Sequence, residues 1–397
     1  MTTGADAMDA ASAPPAATTT TTTEPLAAAL ARLARGASTD LSALLHDVER
    51  HVVVDGTNIT AHCHCLTLDG NGRPRIEDLV DAVAEHVLDY AIPRSEYHAA
   101  REEAARTGSS QKVVRLHTKA RKLFTDLIQS GEGGELLLFA LAEKLLQLPQ
   151  LICKMSLKTN TRMHIHGADG LHAGVDEQTG KLLLYWGESK IFGDVTSAIR
   201  DCLKSLAPML QDHEASKRDL QLLQRHLDVD NDDLENALKK FLNPDDPAFN
   251  SLEFRGLCLV GFDCDAYPKG PSKTELKAVV SAITSTLPGW KQHVAKRVTE
   301  EKIDAFSMHF LFVPFPSADE FRKLFRVHLG LSTEAKEDVP EVSGPHLVPA
   351  TAKPVATATP PAARASSAPK GSRARTGEPT AKRARSPKAK GTPRGAP

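Results

Sequence analysis

Apolar residues recur along this chain in two rhythms, and each rhythm breaks at glycine, proline or polar clusters. Short apolar or alternating runs at 51–54 and 58–68 predict two strands, the second ending at the turn Asp69-Gly-Asn-Gly72. Helical spacing over 76–90 predicts a helix that stops before Pro93. A long helical region is expected from 95 to about 129, broken near Gly108. Gly131-Glu-Gly-Gly134 then leads into a helix from Glu135 to 146, apolar nearly all round and therefore expected to be buried. Val175 and Leu182 bracket Asp176-Glu-Gln-Thr-Gly180-Lys181, a polar turn with a late glycine, which predicts a hairpin. An amphipathic helix is expected over about 195–210, followed by a polar, acidic stretch at 228–246. Beyond it the pattern alternates strand (254–263), helix (274–286), strand (304–315) and helix (318–329), without an internal repeat. This second part either extends the first sheet or forms a small domain of its own, and the pattern leaves both open.

The ends read differently. Residues 1–36 are Ala/Thr-rich with no core pattern, and are expected to be a disordered tail with a short helix around 26–33. Residues 336–397 are rich in Pro, Ala, Ser and basic residues and are expected to be a second disordered tail. Between them, 37–335 reads as the folded domain, with a core at about 37–212 and a βαβα extension at about 250–330. From Pro340 to Pro397 there are eleven Lys/Arg and two Glu, so a whole-chain charge of −1 leaves about −10 for the rest. A body that acidic does not neutralise DNA phosphates by itself; a local basic patch, the tail, bound metal or a partner has to supply the attraction. Six cysteines show no Cys-x-x-Cys spacing and suit reduced thiols in a cytoplasmic protein. No signal peptide is expected, and no apolar run approaches the ~20 residues that span a bilayer, so no membrane association is expected.

The candidate chemistry lies on the hairpin, in His166-Gly-Ala-Asp169-Gly-Leu and Leu183-Leu-Tyr-Trp-Gly-Glu188-Ser-Lys190. If Val175 pairs with Leu182, the register sets Asp169 opposite Glu188, where facing Cβ atoms lie about 4.5–5.5 Å apart. Glu188 and Lys190 point the same way because strand side chains alternate. A one-residue slip would send Asp169 to the other face. Other acid-x-Lys triplets (Glu275-x-Lys277, Glu300-x-Lys302, Glu334-x-Lys336) fall in helical or linker sequence; only Glu188-x-Lys190 ends an apolar strand with an acid placed to meet it. Glu135 opens the buried helix just before the hairpin. It is either a carboxylate stabilised by the helix dipole or a third acid reaching over the hairpin, with Glu132 as its alternate. Two or three carboxylates beside an ammonium suit a divalent metal holding a phosphodiester. The chain has no Walker-type phosphate loop, so it is not itself an ATPase.

The order of helix acid, strand Asp, strand Glu-x-Lys and following helix resembles the PD-(D/E)xK nuclease superfamily. Gly-Glu135-Leu-Leu-Leu-Phe, Gly-Ala-Asp169-Gly-Leu-His and Gly-Glu188-Ser-Lys190-Ile-Phe are similar to the HamA nuclease subunit family of the Hachiman anti-phage system, over roughly residues 40 to 330. The resemblance implies an α/β, restriction-endonuclease-like core with a mixed central sheet flanked by helices. It also implies Mg²⁺- or Mn²⁺-dependent DNA cleavage by Glu135, Asp169, Glu188 and Lys190, the three acids holding the metal. A partner helicase of superfamily 2 (HamB-like) would restrain and deliver the activity. The superfamily's Pro-Asp is Ala168-Asp169 here, which leaves the acid in place.

Some features stand beside that reading. Lys112, Arg115, Lys119, Arg121 and Lys122 share a helix that either contacts DNA or is a solvated face. The basic run at 382–388 could likewise contact nucleic acid. His62-Cys63-His64-Cys65 invites zinc, yet a strand turns the histidines and cysteines to opposite faces, so buried cysteines beside exposed histidines is the simpler expectation. His164, His166 and His172 flank the candidate site. Two rival functions remain: a non-catalytic subunit that binds DNA ends or a helicase, and glycoside hydrolysis by paired carboxylates, which Lys190 and the scarcity of tryptophan (two) argue against.

Overall fold

The computed structural model describes residues 26–35, 41–125, 130–158 and 167–331. In chain order the elements are α1 (Leu26–Ala31), β1 (Leu45–Val53), β2 (Ile59–Leu66), α2 (Ile76–Ala84), α3 (Val87–Ala91), α4 (Arg94–Thr107), α5 (Gln111–Arg121) and α6 (Glu132–Leu145). They continue with β3 (Gly170–Val175), β4 (Leu182–Phe192), α7 (Val195–Gln211), α8 (His213–His226), α9 (Asp232–Leu242), β5 (Leu252–Asp263), α10 (Leu276–Glu300), β6 (Met308–Phe315) and α11 (Ala318–His328).

Among the described residues the strands form one six-stranded sheet in the order β1-β2-β6-β5-β4-β3. The inner four are parallel, and β1 and β3 close the edges antiparallel. The late strands β5 and β6 therefore thread into the middle of the sheet instead of building a separate one. Their sequences explain it: 257–260 and 310–313 are continuous apolar runs, buried throughout, as interior parallel strands require. Helix α6 covers one face, where a Cβ on Gly187 would meet Leu138, and α7 covers the other, where a Cβ on Gly256 would meet Leu206. Residues 136–142 of α6 are all buried, each leucine contributing about 1.5–3 kcal/mol. No helix among the described residues is long and apolar enough to cross a membrane.

Several expectations needed correction. The helix expected over 76–90 is two, α2 and α3, parted around His86 so that Tyr90 turns toward α6. The break near Gly108 is there, at a left-handed φ of 72° that glycine adopts without strain. The helix expected to stop at 286 continues to Glu300 through Pro288. The acidic stretch 228–246 contains α9, whose buried Leu234, Leu238 and Leu242 recur every fourth residue; the surrounding charge masked them. His62 and His64 are not exposed. Strand β2 is interior, covered on both faces, so both rings are buried. His62 Nε2 lies 3.1 Å from His309 Nδ1, and His64 Nδ1 lies 2.8 Å from Asp47 Oδ1. Burial, helped by His309, lowers the His62 pKa to about 3, which keeps the ring neutral. The basic run at 382–388 lies outside the described residues.

Candidate active site

Two glycines bring the first turn of α6 against its neighbours. A Cβ at Gly134 would lie 3.1 Å from Ser189 Oγ, and one at Gly133 would lie 3.0 Å from the Phe325 ring of α11. Glu135 follows at once. Its Oε2 accepts a 2.8 Å hydrogen bond from the hydroxyl of Tyr90, a buried ring leaning on Phe124 and Phe139.

On the hairpin, pairing runs from Val175↔Leu182 to Gly170↔Gly187, the register the turn predicts. One further step would set Asp169 squarely opposite Glu188, but β3 begins at Gly170 and the ladder ends there. Asp169 N–H instead donates to the Gly187 carbonyl at 2.8 Å. Its Oδ2 accepts from Ser189 N–H and from Ser189 Oγ–H, at 2.8 Å each. Asp169 is thus anchored to the residue between Glu188 and Lys190. Those two point toward α7, where Lys190 Nζ donates to Glu188 Oε1 and Ser205 hydrogen-bonds the same carboxyl.

Charge ties the four residues together. Burial raises the Glu188 carboxyl to about 7, Asp169 adds to the rise, and Lys190 and Ser205 oppose it. Glu135 is lifted to about 8, first by burial, then by Asp169 and Glu132, against Tyr90 and Lys158. For Lys190 burial disfavours the ammonium, but Glu188 and Asp169 outweigh it and the pKa rises. Asp169 is therefore the acid that acts most strongly on both glutamates, with Glu135 on the α6 side of the sheet and Glu188 on the α7 side.

Hard oxygen donors of this kind fit Mg²⁺ or Mn²⁺, and repulsion among buried carboxylates is what a dication offsets. Among the described residues no three His, Cys, Asp or Glu converge closely enough to hold a metal ion as they stand. Tyr90, Ser189 and Lys190 each hold one oxygen of one of these acids.

Neighbouring residues fall out differently from the sequence reading. Glu132, the alternate to Glu135, is turned inward: Oε1 pairs with Lys158 at 2.5 Å and Oε2 accepts from Thr125 N–H at 2.7 Å. His172 is core, its Nδ1 2.9 Å from the Leu148 carbonyl, and burial lowers its pKa to about 4. His164 and His166 lie outside the described residues. On α5, Lys112 pairs with Glu103 and Lys119 with Glu96 of α4, while Arg121 donates to the carbonyls of His328 and Leu329. The basic helix is thus partly neutralised. Cys63 and Cys65 face away from the two histidines of their strand, toward Tyr267, Cys264 and Lys291, so the run gathers no zinc set. Sequence reasoning missed Tyr90, Ser189 and Lys158. Ser189 was open to discovery, being the middle of Glu-x-Lys; nothing local marks Tyr90, 45 residues before Glu135.

Compared with known families, the chain matches a model of the HamA family over residues 42–329, most of its length. The chain belongs to the HamA family, a component of the Hachiman anti-phage defence system. No curated protein matches it.

Proposed function

We propose that this member of the HamA family is the nuclease of its defence system, hydrolysing DNA phosphodiesters at the hairpin site under the control of a partner helicase. The observation that supports the reading is Asp169, held by Ser189 of the Glu-x-Lys triplet and raising both Glu135 and Glu188, with Lys190 held as an ammonium. Glu135, Asp169 and Glu188 would hold Mg²⁺ or Mn²⁺, which when bound polarises the phosphate and lowers the pKa of an attacking water. Lys190 supplies fixed positive charge toward the phosphate oxygens. Ser189 holds Asp169 through two donors and Tyr90 holds Glu135 through one, so both acids keep their places while substrate enters. The acidic body fits a nuclease that grips DNA weakly until a partner delivers it.

The test is cleavage of plasmid and linear DNA with Mg²⁺, by the full chain with its neighbouring helicase and ATP, beside Glu188→Ala and an EDTA control. Cleavage lost in both controls supports the proposal. Intact DNA in every lane, with the complex assembled, favours a binding subunit on a nuclease-like fold. That second reading draws on one observation, the absence of a ready three-ligand metal cluster among the described residues.

A further inference from the structure

Asp169 is the last residue of a short turn that a separate, buried network grips from behind. Gly167 has φ +116°, a conformation that L side chains rarely adopt, and a Cβ there would lie 2.9 Å from Asp219 Oδ1. Asp219, on α8 fifty residues later in the chain, accepts from Trp186 Nε1–H at 3.1 Å and from the backbone N–H of Ala168. Lys154 Nζ donates to the carbonyl of the same Ala168, and its charge also acts on Asp219. Both polar groups of the Ala168 backbone are thus held by side chains, one acidic and one basic. Lys154, Asp219 and Trp186 are 7%, 6% and 0% exposed, so this is a desolvated network whose members depend on one another. Nothing in the reading of the active site uses it.

We propose that Lys154 and Asp219 are positioning residues for Asp169: together they lock the Gly167-Ala168 turn in the one conformation that carries the Asp169 carboxylate onto Ser189, between the two glutamates. The locking itself is a statement about the turn; its consequence for metal and DNA rests on the nuclease reading above. Supporting groups of this kind typically change metal affinity or activity 10–100-fold when removed. Ahead of Asp169, whose own bonds go to Gly187 and Ser189, the turn has no ladder pairing, since β3 begins only at Gly170.

The experiment uses the full chain and four variants: Lys154→Met, Lys154→Arg, Asp219→Asn and Gly167→Ala. Hydrogen exchange by mass spectrometry follows a peptide covering 167–171, and Mn²⁺ titration by calorimetry follows ion binding in the same samples. The expected result is exchange at 167–171 at least about tenfold faster in Lys154→Met, Asp219→Asn and Gly167→Ala, with peptides of β5 and β6 unchanged and Lys154→Arg near the parent. Mn²⁺ affinity falls about 10–100-fold in the same three variants. Exchange at 167–171 that stays at the parent rate in Lys154→Met and Gly167→Ala overturns the proposal. So does acceleration spread evenly over the sheet, which would mark general destabilisation. If Asp219→Asn does not fold, the Lys154 and Gly167 variants still decide. An Asp169→Asn control separates the two layers. Unchanged Mn²⁺ binding in that control, alongside faster exchange in the three variants, keeps the lock and removes the metal reading.

Discussion

Replacing Glu135 by glutamine isolates the electrostatic cost of the acid cluster. Glutamine keeps the shape of the side chain and an oxygen to accept from Tyr90, but it cannot ionise. In the folded protein the Glu135 carboxyl titrates at about 8, against an ordinary 4.5, chiefly because of burial and then Asp169. Below pH 4.5 both the folded and unfolded chains carry the proton, and the substitution changes stability little. Between 4.5 and 8 the folded state keeps a proton that the unfolded state releases, so stability falls as pH rises through that window. Above 8 the loss is complete. At about 1.4 kcal/mol per pKa unit the full effect is roughly 4–5 kcal/mol. Glu135→Gln should therefore match the parent near pH 4.5 and exceed it by several kcal/mol at pH 9. Urea denaturation of both proteins in EDTA at pH 4.5, 7 and 9 measures the difference. Parallel stabilities at all three pH values would refute the placement of Glu135 in a buried acidic cluster. Millimolar Mg²⁺ should shrink the difference at pH 9, because a cation on the carboxylates favours their ionised form.

Glu188→Ala and Lys190→Ala should each lower DNA cleavage by at least about 10²–10³-fold while leaving circular dichroism and co-purification with the helicase intact; loss of folding or of the complex would mark them as structural. Lys158→Met strands the buried Glu132 carboxylate, side chain 3% exposed, and should cost about 3–5 kcal/mol in urea denaturation, with the Glu132→Gln/Lys158→Met pair recovering part of it. Tyr90→Phe removes the hydrogen bond that lowers the Glu135 pKa, so that pKa should rise further, seen as a later carboxyl titration by infrared difference spectroscopy. Gly261→Ala would set a Cβ 2.6 Å from the Phe315 ring and 3.0 Å from Ile191, and should lose about 1–3 kcal/mol by overpacking, read from the urea midpoint.

What the sequence alone determined is local. Alternation in 182–190 set Glu188 and Lys190 on one face, and the turn at 176–181 set the Val175↔Leu182 register, because strand periodicity and turn length act over a few residues. The near-continuous apolar surface of α6 announced its burial. The interior position of β5 and β6 was only half legible: their apolar runs announced burial on two faces but not the neighbours they would find. Tertiary structure decided the rest. Charge hid α8 and α9, and β2 became interior, so its histidines were buried against the alternation that suggested exposure. Asp169 left the ladder one residue early because Ser189 offered two donors, and Asp219 and Lys154 took hold of the turn before it. Tyr90 reached Glu135, and Lys158 neutralised Glu132, only because packing carried distant segments together. Such contacts cost chain entropy that non-local burial repays, and no short window of sequence contains both sides of that balance.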